Sequence, residues 1–253
     1  VYADVYLGEQ WQRIHLSGRR DVAPQREGLN VVPTSPVIVH PNASHEMWAG
    51  TQTGIQRTTD HGRTWHVMAS FGDTTVRRIM IPPHAPNVVL ALAKASFWDS
   101  FVLKRSVDGG ATFTTVGFPR PLLGENGWRV MDVVSSLDGN TIVVAIGGRQ
   151  IDRKVLRSDD GGQRWYDWSA ALGTRSAISL AMSRHATPTV YLGTEDGVFA
   201  RSLGAVAWSP VGTGLPMGHC NVLSICERNN LLRTATSRGV WEVSLETSLP
   251  PVA

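Results

Sequence analysis

The densest group of reactive side chains in this chain is RSDDGGQRWYDW, residues 157–168. Adjacent carboxylates, Asp159 and Asp160, precede two glycines, and Tyr166 and Asp167 follow a tryptophan. Acidic, glycine-rich loops can hold calcium, because hard cations take oxygen ligands. Paired carboxylates can also perform acid–base chemistry on a glycosidic bond. A third use is architectural, with an aspartate accepting the N–H groups of its own turn.

Related words decide among these uses. Residues 57–65 read RTTDHGRTW and residues 105–113 read RSVDGGATF. Each has a hydroxyl-rich lead-in, an Asp, a Gly two residues later and an aromatic three residues beyond that. Asp60, Asp108 and Asp160 recur about every fifty residues. RSLGAVAW at 201–208 is a worn copy that keeps Ser202 and Trp208 but has no Asp. A fixed period of this size marks one supersecondary unit per copy. Asp60, Gly62 and Trp65, with Asp108, Gly110 and Phe113 and with Asp160, Gly162 and Trp165, are therefore read as structural. The carboxylate accepts turn N–H bonds, the glycine takes a conformation a Cβ would penalise, and the ring packs between neighbouring units. Ligand density is low, so no metal and no cofactor is expected.

Between these turns lie short β-like runs. The first in each repeat are 37–40, 76–81, 128–134, 176–182 and 221–227. The second are 46–52, 87–95, 141–148, 189–195 and 230–237. The third are 54–59, 101–106, 154–158, 197–202 and 239–244, and the fourth are 64–68, 112–116, 164–168 and 207–211. Pro82–Pro83, Asp138–Gly139–Asn140, Asp196–Gly197 and Asn229–Asn230 mark the turns. Connections this short join antiparallel neighbours, since a parallel crossover needs a dozen or more residues. The pattern predicts an all-β protein, a five-bladed β-propeller of four-stranded antiparallel blades. The fifth blade lacks a fourth strand, which WQRIHL (11–16) supplies, so that the N-terminal strand closes the ring. Six blades are the lesser alternative, if VYADVYL (1–7) belongs to a further blade. A single domain over 1–253 is expected.

The SxDxGxTW-like words resemble Asp boxes, or BNR repeats, and the blade pattern covers nearly the whole chain. Asp-box propellers include sialidases, xyloglucan-active glycosidases, sorting receptors and photosystem II assembly factors. The resemblance implies the fold; function has to be argued from the site.

Composition narrows the classes. Charged residues make up 18% of 253, while Gly (25) and Trp (9) are abundant, which suits short strands and tight turns. The net charge of +3 is diffuse, and no Lys or Arg run exceeds a pair, so nucleic acid is not expected. No apolar stretch reaches the ~18 residues of a membrane span. The chain begins at Val1 with no signal-peptide pattern, which suggests a removed leader or a late start. Cys220 and Cys226, if on one strand, lie roughly 20 Å apart, too far for a disulfide. Asn42-Ala43-Ser44 fits a glycosylation sequon.

Functional residues favour loops on a rigid scaffold. The loops from fourth to first strand and from second to third strand share one side of the ring. They carry Arg19, Arg20 and Arg26 (17–36), Trp98 and Asp99 (95–101), Arg120 and Glu125 (117–127), Arg149 (147–153) and His219 (212–220). Arginine with aromatics and few lysines is the composition of protein interfaces and of anion or sugar sites. Arg77, Arg78, Arg129 and Asp132 fall on first strands, which line the central channel, and alternation lets only one of Arg77 and Arg78 face it. A sialidase-like site would need an arginine cluster with a Tyr nucleophile; Tyr166 and Tyr191 fall inside strands, and Tyr2 and Tyr6 are terminal. Asp99, Glu125, Asp132 and Asp152 could serve a two-carboxylate glycosidase, but no spacing joins any pair. The reading preferred is a non-enzymatic binding or assembly scaffold. It resembles the photosystem II assembly factors, and it docks a protein partner or multisubunit complex through the nine loop residues named above. The alternative is a glycoside hydrolase or carbohydrate-binding propeller. The resemblance implies a periplasmic or secreted location.

Overall fold

The computed structural model describes residues 2–7, 10–15, 35, 37–94, 102–119, 129–147, 154–212, 219–236 and 238–245, the first two segments by their backbone alone. They form β-strands and one short 3-10 turn, Glu227–Asn229. Two N-terminal strands, β1 (Tyr2–Leu7) and β2 (Gln10–His15), precede five antiparallel sheets. The first sheet contains β3 (Ile38–His40), β4 (Ala43–Gly50), β5 (Gly54–Thr58) and β6 (His66–Ser70). The second contains β7 (Thr75–Met80), β8 (Val89–Lys94), β9 (Val102–Ser106) and β10 (Thr114–Thr115). The third contains β11 (Arg129–Ser135), β12 (Ile142–Gly147), β13 (Lys154–Ser158) and β14 (Tyr166–Asp167). The fourth contains β15 (Ser179–Met182), β16 (Thr189–Gly193), β17 (Val198–Ser202) and β18 (Ser209–Pro210). The fifth contains β19 (Cys220–Cys226), β20 (Leu231–Thr236) and β21 (Gly239–Ser244). Every neighbouring pair is antiparallel and in sequence order, so each sheet is a meander. Cys220 and Cys226 close opposite ends of β19 and are free thiols.

The core lies between sheets. One cluster joins the first and second sheets through Trp48, Ile55, Val76, Val89 and Ala91. A second joins the second and third sheets through Leu90, Leu103, Val130, Ile142 and Leu156. The third and fourth meet around Val143, Trp168, Leu180, Val190 and Trp208. The fourth and fifth meet around Tyr191, Val198, Leu223 and Leu232. Second strands are sandwiched between two neighbours, so β12 and β16 are buried throughout. This explains their near-continuous apolar runs, IVVAI in β12 and VYL in β16, each fully buried Val, Ile or Leu side chain contributing about 1.5–3 kcal/mol.

The N-terminal strand pairs differently from expectation. β2 runs antiparallel to β1, with Leu7 opposite Gln10, in a two-stranded sheet of its own. Two residues separate the strands in sequence, a spacing that suits a β-hairpin. The fifth sheet has three strands, and among the described residues the outer edge of β21 carries no further strand.

Candidate functional site

The repeated aspartates are held by their own turns. Asp60 accepts Thr64 N at 2.8 and 3.0 Å on its two oxygens, Thr64 Oγ1 at 2.7 Å and Thr58 Oγ1 at 2.7 Å. Asp108 accepts Thr112 N at 2.9 Å, Thr112 Oγ1 at 2.6 Å and Ser106 Oγ at 2.7 Å. Asp160 accepts Arg164 N at 2.8 Å, Arg164 Nε at 2.9 Å and Ser158 Oγ at 2.9 Å. Each lead-in hydroxyl also accepts the N–H of the second turn residue beyond the Asp, at Gly62, Gly110 and Gly162. Bonds from Ser106 and Thr112 hold the Asp108 carboxyl down at about 2. Those from Thr64 and Thr58 to Asp60, and from Arg164 and Ser158 to Asp160, hold these carboxyls well below the usual range. A general acid needs the opposite shift. For Asp159, burial pushes the carboxyl up, but bonds from Tyr166 and Arg157 outweigh it. The worn fourth turn, which has no aspartate, is held by Arg201, whose Nε donates to Ala205 O at 3.1 Å. Arg201 donates to Trp168 O at 2.8 Å and stacks over its ring at 4.4 Å, and Trp208 Nε1 donates to the same carbonyl at 2.7 Å.

The first strands of all five sheets line one channel of about 740 Å³. Ile38, Ile79, Val134, Leu180 and Leu223 each contribute to its wall. Arg78 faces this channel and donates to Asp132 Oδ1, while Arg77 is exposed and lies outside the lining. Asp132 is buried and also accepts Val133 N and Leu180 N, each at 2.8 Å. One carboxylate thus ties the second, third and fourth sheets together across the channel wall. Sequence reasoning placed Asp132 and one of Arg77 and Arg78 on the channel but had no signal for this three-sheet link.

A feature that escaped sequence reasoning sits near the starts of three first strands. Pairing slips at Val76/Arg78 in β7, Val130/Asp132 in β11 and Cys220/Val222 in β19. Each is a β-bulge near the start of a first strand, with Arg77, Met131 or Asn221 as the extra residue. Bulges re-aim side chains, and all three of these are exposed, Met131 by 42%. Arg129 and His219 are exposed at the same end. Of the nine loop residues expected to bind a partner, His219 alone is described; Arg19, Arg20, Arg26, Trp98, Asp99, Arg120, Glu125 and Arg149 lie outside the described residues.

Among the described residues no group of three or more His, Cys, Asp or Glu is placed to hold a metal ion, and no helix is long and apolar enough to cross a membrane.

No protein-family model and no curated protein matches the chain. Solved structures do. The chain is 15% identical to a GH74 enzyme from Niastella koreensis, with a TM-score of 0.63, covering 93% of this chain and 39% of that one. YCF48 from Cyanidioschyzon merolae is 14% identical with a TM-score of 0.60, covering 88% of this chain and 71% of that one. A structure of YCF48 bound to D1 peptide also matches, at 12% identity and a TM-score of 0.54. The chain spans 30% of the length of an ancestral GH74 enzyme that it matches. At these identities the likeness extends to the fold, which is a β-propeller architecture of antiparallel blades about a channel.

Proposed function

We propose that this chain is a non-enzymatic binding module, a one-domain Asp-box propeller of five blades completed by its N-terminal strand, which docks a protein partner at the loop end of its inner strands. The observation that carries this reading is the recurring bulge near the start of three inner strands, where Arg77, Met131 and Asn221 are exposed, with exposed Arg129 beside Met131's bulge. Arginine is enriched at binding hot spots, and methionine adapts to irregular partner surfaces. In sequence, Trp98 falls between β8 and β9, Arg120 between β10 and β11 and Arg149 between β12 and β13, while Arg19, Arg20 and Arg26 precede β3. The match to YCF48 bound to D1 peptide supports a peptide or protein as the occupant. An extracytoplasmic location is part of the proposal, supported by likeness to an extracellular domain from B. thetaiotaomicron.

The test is affinity capture from a source extract with the wild type, with an Arg77→Glu/Arg129→Glu variant and with Met131→Ala. Loss of the same protein from both variants, at unchanged melting temperature, is the expected result. Capture that is indifferent to both would overturn the docking face.

Likeness to GH74 enzymes favours a second reading, action on or binding of a glycan. Against catalysis by tyrosine, burial first of all pushes Tyr166 and Tyr191 up to about 12, where a nucleophile would need a lowered value. Hydrolysis of xyloglucan or another glycoside, abolished by Asp99→Ala or Asp152→Ala, would replace the scaffold reading.

A further inference from the structure

In each of the first three blades the turn after the third strand is tied back to the start of the second strand by one backbone bond. Gly109 N donates to Asn87 O at 2.8 Å, Gly161 N to Asn140 O at 2.8 Å, and His61 N to His45 O at 3.0 Å. The first residue of each pair is left-handed, with φ of 68° at Gly109, 69° at Gly161 and 61° at His61. Glycine takes that conformation without penalty, whereas a residue with a Cβ is strained there. Blade one therefore departs from the repeat at both ends of the same bond, and both departures are histidine. The two exposed rings lie edge to face with centroids 6.1 Å apart.

Backbone strain held at one point motivates a search for function there. We propose that His45 and His61 form a two-imidazole surface site for a borderline divalent cation such as Zn²⁺ or Cu²⁺, with water or a partner's side chain completing its coordination. Zn–N distances of about 2.0–2.1 Å and tetrahedral angles put two ligating ring centroids roughly 5 Å apart. The pair is about 1 Å wider than this, within reach of side-chain rotation at an exposed site. Imidazole suits Zn and Cu over Mg or Ca. Asp60 is not counted as a ligand, because its two oxygens already serve Thr64 and Thr58. His40 and His66 lie on the same blade and serve as controls; His40 Nδ1 accepts Asn42 N.

The test is calorimetric titration of the whole chain with Zn²⁺ alone and with Cu²⁺ alone. His61→Gly restores the residue that the second and third blades carry, so it should fold at least as well as the wild type. The wild type should bind one ion per chain. His61→Gly and His45→Gln should each abolish that binding, while His40→Gln and His66→Gln leave it intact. A wild type that binds no ion, or binding that survives in both His61→Gly and His45→Gln, overturns the site. Equal loss in either control variant overturns the assignment to this pair.

Discussion

Gly109 and Gly110 stand side by side in one turn and are required for different reasons. A Cβ on Gly109 meets nothing within 4 Å, so only the left-handed φ of 68° opposes a side chain. A Cβ on Gly110 would lie 2.6 Å from the Trp48 ring, at a φ of 87°. Gly109→Ala should cost about 1–2 kcal/mol. Gly110→Ala should cost that plus about 1–3 kcal/mol for crowding a buried tryptophan. Urea titration of both variants measures the difference, and equal losses would show that the Trp48 contact carries no weight. Asp108 supplies a second prediction, from its depressed pKa. A carboxyl with an ordinary value near 3.9 unfolded and about 2 folded stabilises the native state above the higher value. That contribution is lost as pH falls through the lower one. The melting temperature should therefore drop between about pH 4 and pH 2, with a shallower drop in Asp108→Asn. Parallel slopes in the two proteins would mean that this carboxylate does not drive the acid transition.

The strands were legible because the second strands of the three middle blades are largely apolar and the turns are punctuated by Asp and Gly. The expected third strands 154–158 and 239–244 coincide with β13 and β21, and most other strands shift by one to three residues at an end. Three fourth strands are shorter than expected, two residues in β10, β14 and β18, each preceded by an aromatic packed into the interface, Trp165 and Trp208 buried and Phe113 partly so, while β6 keeps five residues. The bulges were not legible. A period of two along one strand cannot show an extra residue until the register of its partner is known. Nor could spacing join Arg78, Asp132 and Leu180 N, which come from three sheets. The loop residues named from composition carried no geometric information in the sequence. The Asp132 link yields a prediction at this scale. Asp132→Ala removes the acceptor for two backbone N–H groups, at about 1–3 kcal/mol for each buried donor left unpaired, and adds little for Arg78, whose side chain is 37% exposed and can turn to water. Arg78→Ala should cost less, and the double variant should fall well short of the sum, because contacting partners are not additive. A thermodynamic cycle from denaturant melts measures this coupling; simple additivity would show that the link across the channel is energetically idle.

At the scale of the whole molecule, the internal repeat provides its own control for what the last blade lacks. Val198 begins the third strand of the fourth blade and is 3% exposed; Val240 holds the corresponding place in the fifth and is 73% exposed. Trp241 beside it is 38% exposed. Both belong to β21, whose outer edge bears no described strand, and open edges of this kind recruit other chains. Among the described residues β2 pairs with β1 alone, and Trp11 matches Trp65, Phe113, Trp165 and Trp208 in the sequence repeat. The proposal that β2 completes the fifth blade makes the N-terminal segment structural, although it lies far from the core in sequence. Deleting residues 1–15 should then lower the melting temperature, broaden the transition and promote association through β21. Size-exclusion chromatography with light scattering, alongside calorimetry, measures both effects. Adding a charge at Val240 separates edge-driven association from general unfolding. In the truncated chain Val240→Lys should suppress association, because charge on an edge strand blocks further pairing, while leaving the lowered melting temperature where it was. A truncated chain that stays monomeric and melts like the full one would show that the N-terminal strand does not complete the blade.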